Sequence, residues 1–135
     1  MSGSPEAFLD TNILVYAFSS DDRAGAAERL LSDGCTISVQ TLNEFVNISR
    51  RKLSREWAEI GEAVAIIRKL CARIQPVDVR TNEIALEIAS RYRFSFFDAL
   101  MIASALQGEC ETFWSEVLQD GQELAGRLTV RNPFR

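Results

Sequence analysis

Three times along this chain a short apolar run gives way to a helix-forming stretch, with one carboxylate at the junction. The segments are Phe8-Leu9-Asp10-Thr11-Asn12, Thr41-Leu42-Asn43-Glu44-Phe45 and Phe96-Phe97-Asp98-Ala99-Leu100. A chain that alternates short apolar strands with amphipathic helices has few ways to bury both. The common solution is a parallel sheet covered by helices on both faces. In such a sheet ligands bind beyond the carboxyl ends of the strands, so acids remote in sequence can line one cleft. A fourth acidic segment, Ser115-Glu116-Val117-Leu118-Gln119-Asp120-Gly121, follows a late apolar run.

Between these junctions the chain reads as one α/β domain over residues 1–135, with residues 1–6 expected as a flexible start or an expression remnant. Ala7-Phe8-Leu9 forms the first strand. Asp10-Thr11-Asn12 is a cluster of N-cap formers, and Ile13 to Phe18 continue as a helix. Asp21-Asp22 opens a second helix that stops at Gly34, a residue suited to a helix C-terminus. Cys35 to Val39 alternate as a second strand, and Thr41 opens a helix carrying Leu42, Phe45, Val46 and Ile48. Trp57, Ile60, Val64, Ile67 and Cys71 recur at helical spacing. Pro76-Val77-Asp78-Val79 reads as a third strand, with a helix through Ile84, Ala85, Ile88 and Ala89 behind it. Ser95 precedes another helix, Thr112-Phe113-Trp114 gives a fourth strand, and Leu128-Thr129-Val130 a fifth.

At 135 residues, 47% of them apolar, the chain can bury a continuous core. No apolar run approaches the ~20 residues of a membrane span, and no signal-peptide layout opens the chain, so a cytoplasmic protein is expected. Three cysteines, odd in number and without a Cys-x-x-Cys pair, read as small buried residues in a reducing compartment. Histidine is absent, which removes serine–histidine hydrolysis and histidine-containing zinc sites. A net charge of −4 argues against a simple nucleic-acid-coating protein. It leaves a nuclease open, because a bound cation offsets acidic charge where a phosphate approaches.

Carboxylate oxygens suit a hard divalent cation such as Mg²⁺, and such a cation can make water a nucleophile. Taken singly, each acid reads first as a helix cap. Thr41-x-x-Glu44 and Ser95-x-x-Asp98 fit the capping-box pattern, and Asp10 fits a plain N-cap. The roles are compatible, since a capping acid keeps an oxygen for metal.

The segment from Phe8 to Tyr16 resembles the opening strand of PIN-domain nucleases. Thr41-Leu42-Asn43-Glu44-Phe45 and Phe96-Phe97-Asp98-Ala99-Leu100-Met101-Ile102-Ala103-Ser104-Ala105 resemble their second and third acidic motifs. The likeness is strongest to VapC-type toxins of bacterial toxin–antitoxin pairs and runs to Asn132-Pro133-Phe134. It implies a single PIN-like α/β domain with a mainly parallel sheet. It also implies an Mg²⁺- or Mn²⁺-dependent endoribonuclease, neutralised by a VapB-like antitoxin and assembled as a homodimer. Asp10 and Asp98 would be the principal metal ligands and Glu44 would complete the metal shell or orient the attacking water. Thr11 would support Asp10 by hydrogen bonding, and Asn12 would do the same or shape the turn.

The fourth motif departs from the family, which commonly places an acid in the third position of Ser-Glu-Asp-Leu-Gln. Val117 stands there and cannot bind a cation, which leaves Glu116 or Asp120 as substitutes or a weakened single-metal site. Arg50, Arg51, Lys52 and Arg55 form the densest basic run, read as an RNA-phosphate contact or as a solvated helix face. Trp57 and Trp114 read as core or interface, and Phe94, Phe96 and Phe97 as core, rather than as base-stacking surfaces. The alternative to an active toxin is an impaired PIN-like module that binds antitoxin or RNA without cutting. A phosphoacceptor signalling domain is a third class, opposed by having only Lys52 and Lys69, both in helical stretches.

Overall fold

The computed structural model describes residues 6–135, so residues 1–5 of the flexible start expected at 1–6 lie outside the described residues. Six helices surround a six-stranded sheet. The elements run β1 (Ala7–Leu9), α1 (Thr11–Ala17), α2 (Ala24–Ser32), β2 (Thr36–Ser38), α3 (Val39–Arg51), α4 (Trp57–Leu70), β3 (Arg73–Gln75), α5 (Val79–Tyr92), α6 (Phe96–Gln107), β4 (Thr112–Trp114), β5 (Glu123–Leu124) and β6 (Leu128–Arg131). Strand order is β3-β2-β1-β4-β6-β5, parallel except for the β5–β6 pair.

Strand alternation divides the core in two. Phe8 and Phe113 face α5 and α6, while Ala7, Leu9, Ile37 and Trp114 face the layer built from α1 to α4. Phe8 and Phe113 stack at 5.4 Å between ring centroids with 7° between planes. Such a pair contributes roughly 0.5–1.5 kcal/mol beyond its buried area. Its position matters more than its energy, because it fixes β1 against β4 in the middle of the sheet. Helix α6 is buried at every position from Ala99 to Leu106, which explains why that stretch is apolar throughout except for Ser104. Gly34, just past α2, has φ +82°, the left-handed conformation expected of a residue ending a helix.

The sequence reading differs from the structure at three places. The third strand is Arg73–Gln75, not Pro76–Val79. It lies at the sheet edge, with Arg73 exposed and Ile74 and Gln75 half-buried, and a single apolar residue makes no pattern to mark it. Asp78 instead caps α5, accepting the Thr81 N–H at 3.0 Å while the Thr81 hydroxyl accepts the Asp78 N–H at 3.1 Å. The two-residue β5 is too short to leave a periodic signal.

The third difference is the start of α3. It begins at Val39 rather than Thr41, because buried Ser38 is its N-cap and Thr41 the reciprocal partner. Thr41 and Glu44 therefore do not form the expected capping box, and Glu44 lies a turn further along with its side chain available for other partners. Replacing Ser38 with Ala should destabilise the protein by about 1–2 kcal/mol in denaturant unfolding. A change within a few tenths would contradict this assignment of the α3 cap.

Candidate active site

In a parallel sheet the chain leaves β1 in one direction and returns in the other at the β1–β4 boundary, which here is the topological switch point. Register pairs Leu9 with Trp114, so the next residues along, Asp10 and Ser115, meet just beyond the strand ends. The Asp10 N–H donates to the Trp114 carbonyl at 3.0 Å. Asp10 is the N-cap of α1, and its Oδ1 accepts the Thr11 N–H at 2.8 Å. Its Oδ2 accepts the Ser115 hydroxyl at 2.9 Å. Both oxygens of one half-buried carboxylate are thereby held, which leaves it a single orientation.

Thr11 links this acid to the next. Its backbone N–H serves Asp10, while its hydroxyl donates to Glu44 Oε1 at 3.2 Å. Gln40 Nε2, one turn earlier on α3, donates to Glu44 Oε2 at 3.2 Å. Asp98 is half-buried in the first turn of α6, where the Ser95 hydroxyl accepts its N–H at 3.2 Å. Three elements thus bring Asp10, Glu44 and Asp98 within electrostatic reach of one another. Burial pushes the Asp10 carboxyl up from 3.8 to about 6; the Thr11 and Ser115 hydrogen bonds oppose this, and the Asp98 and Glu44 charges add to it. Burial also raises Glu44, against the bonds from Gln40 and Thr11, with Asp98 adding repulsion.

The donor chemistry fits a hard divalent cation: carboxylate oxygens, partly desolvated and mutually repelling, gain most from a shared positive charge. Among the described residues no three acidic, thiol or imidazole side chains stand in position to hold an ion as they are.

The other expected site residues are placed differently. Asn12 is half-buried in the first turn of α1. Glu116 accepts the Tyr16 hydroxyl at 2.6 Å and the Arg23 guanidinium at 2.7 Å, and these partners hold its carboxyl below the usual value. Asp120 Oδ1 accepts the Asn132 N–H at 2.8 Å, tying down the C-terminal turn. Val117 is 62% exposed, its N–H donated to the Ser115 hydroxyl oxygen at 3.1 Å.

The basic run divides. Arg50 lies over the Trp57 ring at 5.0 Å and donates to the Arg55 carbonyl, and Arg55 donates to the Phe18 carbonyl at 2.7 Å. Both tie down the turn after α3. Lys52 lines a cleft of ≈ 430 Å³ with Gln40, Asn43, Glu44, Asn47, Ile48 and Phe97. Arg51 lines an adjoining hollow with Lys52. Phe97 is 61% exposed, against its core reading; Trp57 is equally exposed, outside the core half of its core-or-interface reading, whereas Trp114 is buried.

Ser115 and Gln40 escaped the sequence reading as site residues. The signal for Ser115 was its place directly after β4, facing the residue directly after β1. Gln40 stands one helical turn before Glu44, a spacing that puts both on one face.

Three kinds of comparison bear on this geometry. The family model described as PIN domain matches residues 7–116. No curated protein matches the chain significantly. Among solved structures, Mycobacterium tuberculosis VapC20, described as a Sarcin-Ricin loop cleaving toxin, aligns with TM-score 0.66 at 24% identity, over 79% of this chain and 86% of that one. A toxin–antitoxin complex from Klebsiella pneumoniae aligns with TM-score 0.71 at 20% identity, over 94% and 97%. VapBC2 from Rickettsia felis, bound to a DNA fragment from their promoter, aligns with TM-score 0.69 at 18% identity, over 93% and 97%.

The Asp10 shift carries a sign for stability. Its folded value lies above the unfolded one, so the folded state holds the extra proton between 3.8 and about 6. The stability this proton contributes is full below 3.8 and is lost as pH rises through about 6. In chelator-treated protein, Asp10→Asn removes the buried charge while keeping an N-cap former. At about pH 7 it should be more stable than the parent by on the order of 1–3 kcal/mol. Equal or lower stability in chemical denaturation at that pH would contradict the strained state of Asp10.

Proposed function

This chain belongs to the PIN-domain family, and on that premise we propose that it is a divalent-metal-dependent endoribonuclease acting as the toxin of a VapBC-like pair. The observation that carries the reading is Asp10, held beyond the ends of β1 and β4 by Ser115 and the Thr11 N–H, with Thr11 bridging to Glu44 and the Asp98 charge acting on both acids. Asp10, Glu44 and Asp98 are the proposed ligands for Mg²⁺ or Mn²⁺. When bound, such an ion supplies positive charge to the phosphodiester's developing negative oxygens and acidifies water.

The chain's own residues supply the rest. Ser115 and the Thr11 N–H hold Asp10 in one orientation, so little ordering remains to be done when the site closes. Glu44, raised by burial and fixed by Thr11 and Gln40, completes the ligand set or orients the attacking water and takes its proton at the carboxylate. The cleft beside Glu44 supports a bound RNA segment: Asn43 and Asn47 offer hydrogen bonds, Lys52 a phosphate contact, and exposed Phe97 a stacking surface. Arg51 belongs to the same basic rim. Arg50 and Arg55, engaged in the turn after α3, are left out of it.

A VapB-like antitoxin and a homodimer are proposed from the same family premise, and the exposed Trp57, Ile66 and Phe97 offer apolar surface to such partners. Among the described residues no helix is long and apolar enough to cross a membrane. Action in the cytoplasm on cellular RNA is part of the proposal.

One observation favours the second reading, an impaired module that binds without cutting. The fourth acidic position is Val117, and both nearby acids are engaged elsewhere: Glu116 by Tyr16 and Arg23, Asp120 by Asn132. Cleavage assays on purified protein separate the two. Asp98→Asn should lower Mg²⁺-dependent RNA cleavage at least ~100-fold, about 2.7 kcal/mol of barrier, while circular dichroism shows an intact fold. Wild-type rates in that variant would remove Asp98 from the site.

Val117→Asp should raise cleavage by roughly tenfold, about 1.4 kcal/mol. No change in cleavage or metal affinity would make the fourth position irrelevant. Parent protein without detectable cleavage that gains it through Val117→Asp would establish the impaired reading.

A further inference from the structure

The three cysteines, read from sequence as inert buried residues, are not equivalent. Cys35 is buried immediately before β2, and Cys71 is the half-buried C-cap of α4. Though 36 positions apart, their sulfurs stand 3.7 Å from each other. The backbones are locked alongside: the Cys35 carbonyl accepts the N–H groups of Ala72 at 2.9 Å and Arg73 at 3.3 Å, and β2 pairs with β3 through Thr36 and Arg73. A disulfide needs the sulfurs to close to about 2.05 Å, which asks for less than ~2 Å of movement. Side-chain rotation at Cys71 can supply it, since the chain there has left the helix for an extended conformation (φ −69°, ψ 133°).

We infer that Cys35 and Cys71 form a redox-active dithiol, closed by hydroperoxides into an intramolecular disulfide that staples the end of α4 to the start of β2. Cys71 is the attacking sulfur. It is the more accessible of the two, and the contact between the sulfurs, in which either can donate, favours the thiolate at the less buried Cys71 over the buried Cys35. The Cys71 thiolate attacks one peroxide oxygen, the O–O bond breaks, and hydroxide (or alkoxide) leaves and takes a proton. The resulting Cys71 sulfenic acid lies against Cys35, whose thiol loses its proton as its sulfur attacks. The S–S bond forms, the S–O bond breaks and water departs. Two thiols and one hydroperoxide give one disulfide, one water and one water or alcohol. Cys110, buried on the opposite layer of the core, is not part of the pair.

Full-length reduced protein treated with equimolar hydrogen peroxide provides the test. Intact mass should fall by two hydrogen atoms, with no dimer on a non-reducing gel, and peptide mapping should join Cys35 to Cys71. The melting temperature should rise by about 10 °C, reversed by dithiothreitol, as expected for closing a loop of this length. Cys71→Ser, at a half-exposed position, should abolish the mass loss, and Cys35→Ala should leave Cys71 trapped as a sulfenic acid that dimedone labels. Linkage through Cys110, intermolecular dimers, or peroxide-treated protein with all three thiols intact would each overturn the inference.

Discussion

The hydrogen bond between Ser115 and Asp10 is the contact on which the site depends. It bridges the two central strands where the sheet's connectivity reverses, and it follows from register: Phe8 stacks on Phe113, Leu9 pairs with Trp114, and the next two residues meet. A one-residue slip would turn Phe8 and Phe113 out of the α5–α6 core, so packing enforces the register and the register aims the carboxylate. The apolar core sets the direction of a charged group it does not touch.

That arrangement holds the acids in a state of electrostatic strain. Asp10 sits in a partly desolvated place with Glu44 and Asp98 near it, and its carboxyl is pushed up to about 6. A protein selected for stability alone would not collect three carboxylates at one end of its sheet. Fixing them with Ser115, Thr11 and Gln40 makes sense for a site that binds positive charge, because the same repulsion that destabilises the empty cluster favours a cation. By contrast, Glu116 meets its charge balance locally, between Tyr16 and an Arg23 that also pairs with Asp21 at 2.8 Å. Its carboxylate belongs to the support of the loop after β4.

Much of this was legible in the chain. Asp10 stands out because it falls where a strand gives way to a helix, and the alternation of apolar and helical stretches points to a parallel sheet; Glu44, in the second turn of α3, and Asp98, in α6 directly after α5, do not follow strands. Strand β3 was hidden because an edge strand made of Arg73, Ile74 and Gln75 has no apolar face to display. The start of α3 was hidden because Ser38 and Thr41 are both good caps, both end up buried against Met101, and only the backbone, still extended at Ser38, decides between them. The role of Ser115 depends on strand pairing, and the nearness of Cys35 and Cys71 on a contact across 36 positions. Local sequence carries propensity and pattern; it does not carry which distant backbone lies alongside.

The central claim is that three acids from three elements close on one divalent ion. Diffraction from a crystal soaked in Mn²⁺, recorded for anomalous signal, tests it directly. The account predicts a single strong peak beyond the ends of β1 and β4, within ligand distance of Asp10 and Asp98 and reached by Glu44 directly or through water. A peak elsewhere, or Mn²⁺-soaked crystals in which these carboxylates stay apart without density between them, would contradict it.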